Sequence, residues 1–279
     1  MGQKANSLIL RANQKNYELG VKYIYSNFEE STVLLYKSLE INLYIRRLFK
    51  LFGLIIHTLS FEYSKEVIYV TIFIVSKNLK SLEKNSLKNV SLHKKSSFQL
   101  TSCLIKNSLL EILNTYAKSK LIKINIQNVY SKFLRHIFYF KKNLEDYKKV
   151  LKIFRKFLKN SFLKEIFIAS CISSFEKRSA NFLASYIGKY FIYHKKRHNY
   201  VISFIKKLFA TLLSSNFSKA SGVKISIKGR LNGAPRAKTS IVQVGQIPLQ
   251  TLSLNIDYFN QVVHTTNGSF GIKVWICYK

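Results

Sequence analysis

The stretch Ser221–Gln250, SGVKISIKGRLNGAPRAKTSIVQVGQIPLQ, decides the reading of the fold. Its run Val223–Ile227 alternates apolar and polar residues, the period of two of a strand with one buried face. Gly229, Gly233 and Pro235 then punctuate the chain, and a second alternating run follows at Thr239–Val244, so the stretch predicts a hairpin. Two more period-2 runs, Leu252–Tyr258 and Ile272–Tyr278, complete a mainly antiparallel four-stranded sheet. Six of the ten glycines and both prolines lie from Gly222 onward. Just upstream, within Asn181–Phe217, NFLASYIGKYFIYH and YVISFIKKLFATLL read as two helices separated by the basic knot HKKRHN. The expected domain has two layers, two helices on four strands.

Composition bounds the partner. The chain has 279 residues, 47% of them hydrophobic, enough for a real core. Its 46 Lys+Arg against 13 Asp+Glu give +33, far more than solubility needs and typical of a surface that meets a polyanion. Nucleic acid leads and an anionic membrane surface comes second. Cys103, Cys171 and Cys277 are widely spaced, which predicts buried thiols rather than a disulfide framework or a zinc knuckle. The apolar runs LFGLIIHTL and VIYVTIFIV are about half as long as the roughly 20 residues of a membrane span, so none is expected. The preference for Lys, Ile, Asn, Phe, Tyr and Leu is that of an AT-rich gene, such as an organellar one.

Farther upstream, EINLYIRRLFKLF (Glu40–Phe52) predicts a helix stopped by Gly53, and LIIHTLSFEY and EVIYVTIFIV predict two strands joined tightly. The Lys-rich segment Ser76–Gln99 reads as a solvated loop, Phe98–Tyr116 as an amphipathic helix, and LIKINIQNV as a half-buried strand. Ser131–Glu176, without Gly or Pro, predicts a Lys/Phe-rich helical insertion centred on Leu144–Leu163. The organisation expected is a basic tail over 1–37, an α+β domain over 38–130, the insertion over 131–177 and a C-terminal α/β domain over 178–279.

The segments GVKISIKGRLNGAPRAKT, GQIPLQTLSLNIDY and HTTNGSFGIKVWI, with the initial MGQKAN, resemble the ribosomal protein S3 family of the bacterial type. The resemblance runs continuously over about 58 C-terminal residues. It implies a small-subunit ribosomal protein whose 38–130 region is a type II K-homology domain. Such a domain clamps nucleic-acid backbone with a Gly-x-x-Gly loop, but between Gly53 and Gly188 this chain has no glycine, so a degenerate domain without its clamp is expected. The sequence Gly268–Gly271 has the right spacing but reads as a hairpin turn.

Candidate RNA contacts follow. Lys228, Arg230, Asn232, Arg236 and Lys238 surround Gly229, Gly233 and Pro235, where cationic side chains project from a tight turn toward phosphates; a solvated turn is the bland alternative. Gln3, Lys4, Asn6 and Arg11 are expected in a tail threading along RNA. Lys206 and Lys207 match the family's basic pair on the helix that faces incoming mRNA. The preceding pair, Ile202 and Ser203, does not match, and Lys195, Lys196 and Arg197 stand as substitutes. His264, Thr265 and Asn267 suit ribose or phosphate contact and equally suit an ordinary turn.

No metal site, cofactor or catalysis is expected. His194 and His198 are four apart, but the cations between them repel a metal ion, and Asp257 has no partner at an interpretable spacing. The resemblance implies a monomeric constituent of the small subunit head. Its partners would be small-subunit rRNA, mRNA at the entry site and neighbouring head proteins. A free RNA-binding regulator that kept the C-terminal domain, and a peripheral membrane protein, are the alternatives. The coincidence of chain start and family start predicts no cleaved leader, and the missing clamp favours mitochondrion over plastid.

Overall fold

The computed structural model describes residues 6–11, 21–23, 28–52, 54–64, 67–75, 109, 111, 121–194 and 196–279. The chain divides into two compact units, one of Glu18–Tyr130 and one of Ser131–Lys279 with the segment Met1–Tyr17.

The first unit grows from short β1 (Val21–Tyr23), α1 (Phe28–Leu51), β2 (Ile56–Tyr63), β3 (Val67–Ile74) and β4 (Leu121–Asn128). The sheet order is β1-β2-β3-β4; β2 and β3 are antiparallel, and the outer pairs are parallel. One face of α1 presents Ile41, Ile45, Leu48 and Phe49 to Leu59, Phe61, Val70 and Ile72 of the strands. On β4, Ile122, Ile124 and Ile126 are half-buried while Lys123, Asn125 and Gln127 are exposed, as their alternation predicts.

The stretch 1–37 is not all tail. Val21–Tyr23 pairs in parallel with Phe61–Tyr63, and α1 begins at Phe28 rather than Glu40. Three residues are too few to display a period, and Val33, Leu35, Tyr36 and Leu39 face solvent, which obscures the stripe over the first turns. Gly53, the 76–99 loop and, apart from Leu109 and Glu111, the 98–116 helix lie outside the described residues.

The second unit contains α2 (Val129–Tyr139, from its third residue), α3 (Lys141–Phe154), α4 (Ser161–Phe175), α5 (Ala180–Tyr193) and α6 (His198–Leu213). They are followed by β5 (Ala220–Gly229), β6 (Lys238–Gly245), β7 (Asn255–Thr265) and β8 (Gly268–Tyr278), antiparallel in the order β6-β5-β8-β7. Helix α5 lies against β7 and β8, and α6 against β5 and β6. Phe182, Leu183 and Ile187 of α5 and Phe204, Leu208 and Phe209 of α6 are fully buried, as are Ile225, Ile272, Val274 and Ile276 of the central strands. A Cβ on Gly188 would sit 2.8 Å from Val263 Cγ2, so the missing side chain sets how closely α5 approaches β7.

Two expectations change here. The domain has more than two core helices: α4 is buried continuously from Ile166 to Phe175 and packs against α5 and α6. Ser161–Phe175 therefore belongs to this core, and the 131–177 segment does not stand apart as an insertion. A helix buried on every side from Ile166 to Phe175 shows no amphipathic stripe, which is why its role escapes a periodicity reading. The strand expected at Leu252–Tyr258 begins instead at Asn255 and continues to Thr265.

Arg11 explains the shift. Its side chain is buried, with Nη1 donating to Ser7 O (2.9 Å), Nη2 to Leu249 O (2.9 Å) and Thr251 O (2.8 Å), and Nε to Leu254 O (3.2 Å). Carbonyls that would otherwise seek a neighbouring strand are gathered around one guanidinium, whose planar fork serves several acceptors at once. Arg11 is thus a structural clamp of the 249–254 loop, not a cation threading along RNA.

Candidate nucleic-acid interface

The basic knot and the first hairpin are joined by a reciprocal pair of hydrogen bonds. Arg197 takes a left-handed conformation (φ 66°) before α6, and Asn232 (φ 56°) and Gly233 (φ 77°) do so in the β5–β6 connection. That geometry lets Asn232 Oδ1 accept from the His198 backbone N–H at 2.7 Å, while His198 Nδ1 accepts from the Asn232 N–H at 3.0 Å. His198 Nε2 lies 2.7 Å from His194 O, and a carbonyl only accepts, so the imidazole is neutral with its proton on Nε2. His194 and His198 do not share a helix face. One ends α5, the other starts α6, and both nitrogens of His198 are occupied by backbone groups.

An aromatic box supports this tie. The His198 ring packs on Phe191 (centroids 4.8 Å apart) and Phe270 (5.4 Å), and Phe191 stacks on Phe270 at 5.2 Å. Gly229 is not part of the turn. It ends β5 beneath Phe270, where a Cβ would collide with the ring.

Burial pushes the His198 imidazole below its usual range, opposed by the hydrogen bond to His194. Burial lowers His136 likewise. A histidine depressed in the folded state contributes stability above its unfolded pKa of about 6.5 and loses it as pH falls through the folded value. The urea midpoint should therefore drop as pH is lowered from about 7 toward 5. In His198→Gln that dependence should flatten, leaving the share due to His136.

Cations crowd this end of the sheet. Lys196, Arg197, Lys228, Arg230, Arg236 and Lys238 are exposed, and none has a salt-bridge partner among the described residues. Arg230 Nε donates to Ala234 O at 2.8 Å, bracing the turn across its own width. The β7–β8 turn is adjacent: a Cβ on Gly268 would lie 4.0 Å from Arg230 Cδ. Three segments separate in sequence, 196–198, 228–238 and 264–268, thus meet.

The remaining expected residues fall variously. Lys206 and Lys207 are exposed on α6, about two turns beyond His198. His264 is exposed, whereas the Thr265 hydroxyl donates to Gly268 O (2.8 Å) and accepts from the Asn267 N–H (3.3 Å), so both residues serve the turn. Asn6 is exposed, its Oδ1 accepting from Leu8 N–H at 3.0 Å. Gln3, Lys4 and Lys195 lie outside the described residues.

One signal had been available in the sequence. From Lys177 to Lys279 the single acidic residue is Asp257. The fold withdraws even that one: Asp257 Oδ2 accepts from the Ala180 N–H at 2.7 Å, at the start of α5. Burial raises its carboxyl above the usual range, while the N–H groups of Ala180, Tyr258 and Ser179 and the charge of Arg178 hold it back. Nothing acidic within this segment is left to neutralise the cationic end, which is suited to phosphates.

Fold and charge define a basic α+β domain with helices packed on a four-stranded antiparallel sheet. Residues 197–276 match the family described as "Ribosomal protein S3, C-terminal domain". The small ribosomal subunit protein uS3c of Euglena gracilis is 42% identical over 73 residues, which are 26% of this chain and 34% of that protein. The uS3c of Guillardia theta is 49% identical over 59 residues (21% and 27%), and the uS3 of Neorickettsia sennetsu 37% over 101 residues (36% and 47%). Over this domain the chain is similar to the ribosomal protein S3 family. The matches span between 27% and 47% of the length of these relatives.

Proposed function

We propose that the chain is a structural constituent of the small ribosomal subunit of an organelle, holding rRNA in the head through the cationic end of its C-terminal sheet. The observation that carries this is the meeting of two basic segments, 196–198 and 228–238, at the His198–Asn232 tie beside the 264–268 turn, with Asp257 turned away to α5. Exposed guanidinium and ammonium groups neutralise phosphates, and the fixed turn sets where they stand without reading base sequence. Lys206 and Lys207, exposed on α6, extend the surface toward mRNA at the entry site.

In this reading the first unit is a K-homology-like domain without its glycine clamp, and it contributes shape and strand surface in place of a phosphate cradle. The absence of glycine between Gly53 and Gly188 supports a mitochondrial rather than a plastid ribosome. Neighbouring head proteins complete the environment of a single copy. Ultraviolet cross-linking of intact small subunits, read by peptide mass, should recover rRNA adducts on peptides spanning 196–207 and 228–238. Adducts confined to other parts of the chain would overturn the assignment of this interface.

A further inference from the structure

The junction of α2 and α3 leaves three successive aromatic side chains in solvent: Phe138 is 64% exposed, Tyr139 81% and Phe140 50%. The rest of α2 is used otherwise. Phe133 and Ile137 are buried, and the Phe133 ring packs against Tyr147, Phe175 and Phe217. The helix ends at Tyr139 and Phe140 is extended (φ −107°, ψ 121°), so the chain turns where the rings emerge. Tyr139 and Phe140 stand edge to face, with centroids 4.9 Å apart.

Cations flank the rings. Arg135, Lys141 and Lys142 are exposed and have no salt-bridge partner among the described residues. Of the nearest acids in sequence, Asp146 is engaged by Lys149 and by Asn216, and Glu145 is exposed without an ion pair among the described residues. Aromatic faces between phosphate-seeking cations match an unpaired nucleic-acid strand, whose bases stack on rings while its backbone meets the charges. A membrane-binding helix would carry its apolar face along several turns, but here it is confined to three residues and gives way at once to Lys141 and Lys142. The segment also lies outside residues 197–276, the part matched to the family.

We propose that Phe138, Tyr139 and Phe140, with Arg135, Lys141 and Lys142, form a second RNA site that stacks the bases of a single strand. The inference rests on an RNA partner for the chain but not on the hairpin interface. Full-length protein is titrated with oligouridylate of about 12 nucleotides and with duplex RNA of equal length. Phe138→Ser with Tyr139→Ser should weaken single-strand binding roughly tenfold or more at an unchanged salt slope, and leave duplex binding unchanged. Lys141→Ala with Lys142→Ala should lower the single-strand salt slope by about 1.4. In Tyr139→Trp, the added indole fluorescence should be quenched by the oligonucleotide.

Single-strand affinity within about twofold of the parent in the serine variant, or an indole emission in Tyr139→Trp that saturating oligonucleotide leaves unquenched, overturns the site. So does ring-dependent binding to phosphatidylserine vesicles without ring-dependent binding to the oligonucleotide. If the serine variant is indistinguishable from the parent while substitution of Arg230, Arg236 and Lys238 abolishes rRNA binding, this site fails and the hairpin interface stands.

Discussion

Removing three cations from the β5–β6 connection, in an Arg230→Ala, Arg236→Ala, Lys238→Ala chain, should lower affinity for small-subunit rRNA by roughly two to three orders of magnitude at about 0.1 M salt. Each phosphate neutralised contributes about 0.9 to the slope of log affinity against log salt, so three contacts remove nearly three units of slope. The loss should be similar across RNA sequences, because backbone contacts position without specifying. All three side chains are exposed, and the one internal bond lost, Arg230 Nε to Ala234 O, accounts for only about 0.5–1.5 kcal/mol of stability. Thermal unfolding should therefore change little while binding collapses. A binding isotherm with an unchanged salt slope would remove these residues from the interface.

Phe270→Ala should cost about 3–5 kcal/mol in urea unfolding, a large part of the roughly 5–15 kcal/mol of a typical domain. The ring is fully buried, stacks on Phe191, meets the edge of His198 and roofs Gly229. Gly229→Ala alone should cost about 1–3 kcal/mol, since the new methyl must displace that ring. In a Phe270→Ala background the same change should be nearly neutral, because the space it needs has been vacated. The double-mutant cycle should thus show strong coupling; additive costs would mean that Phe270 does not lie over Gly229. Loosening the box also frees the His198–Asn232 tie, so Phe270→Ala should weaken rRNA binding with every exposed cation intact.

What the sequence made legible is what repeats locally. The alternation of Val223, Ile225 and Ile227, and of Ile122, Ile124 and Ile126, announced strands because burial on one face imposes a period of two. The cations of 228–238 were legible because Asn232, Gly233 and Pro235 mark a turn whose long side chains have nowhere to go but outward. Residues whose partners lie far along the chain were not. Arg11 reads as one more cation of a basic terminus, and its acceptor Leu254 O is 243 residues away. Asp257 reads as an isolated acid, yet it holds the start of a helix 77 residues earlier. Gly229 reads as a turn glycine, and the ring that requires it stands on β8, visible only once β5 and β8 are paired in register.

The helices divide in the same way. Amphipathic α6 shows its stripe, with Val201, Phe204, Ile205, Leu208 and Leu212 inward and Lys206 and Lys207 outward. Helix α4 shows none, being enclosed on all sides from Ile166 onward, and its membership in the C-terminal core emerges only from the packing. The exposed rings at 138–140 are hidden by the opposite ambiguity, since in a chain with 21 Phe and 17 Tyr an aromatic run reads as core.

A place in the small ribosomal subunit is tested by sucrose-gradient sedimentation of an organellar lysate at low salt. The chain should travel with the small-subunit rRNA at about one copy per subunit and be released as salt is raised. Protein that stays at the top of the gradient while small subunits migrate below it would rule out that place.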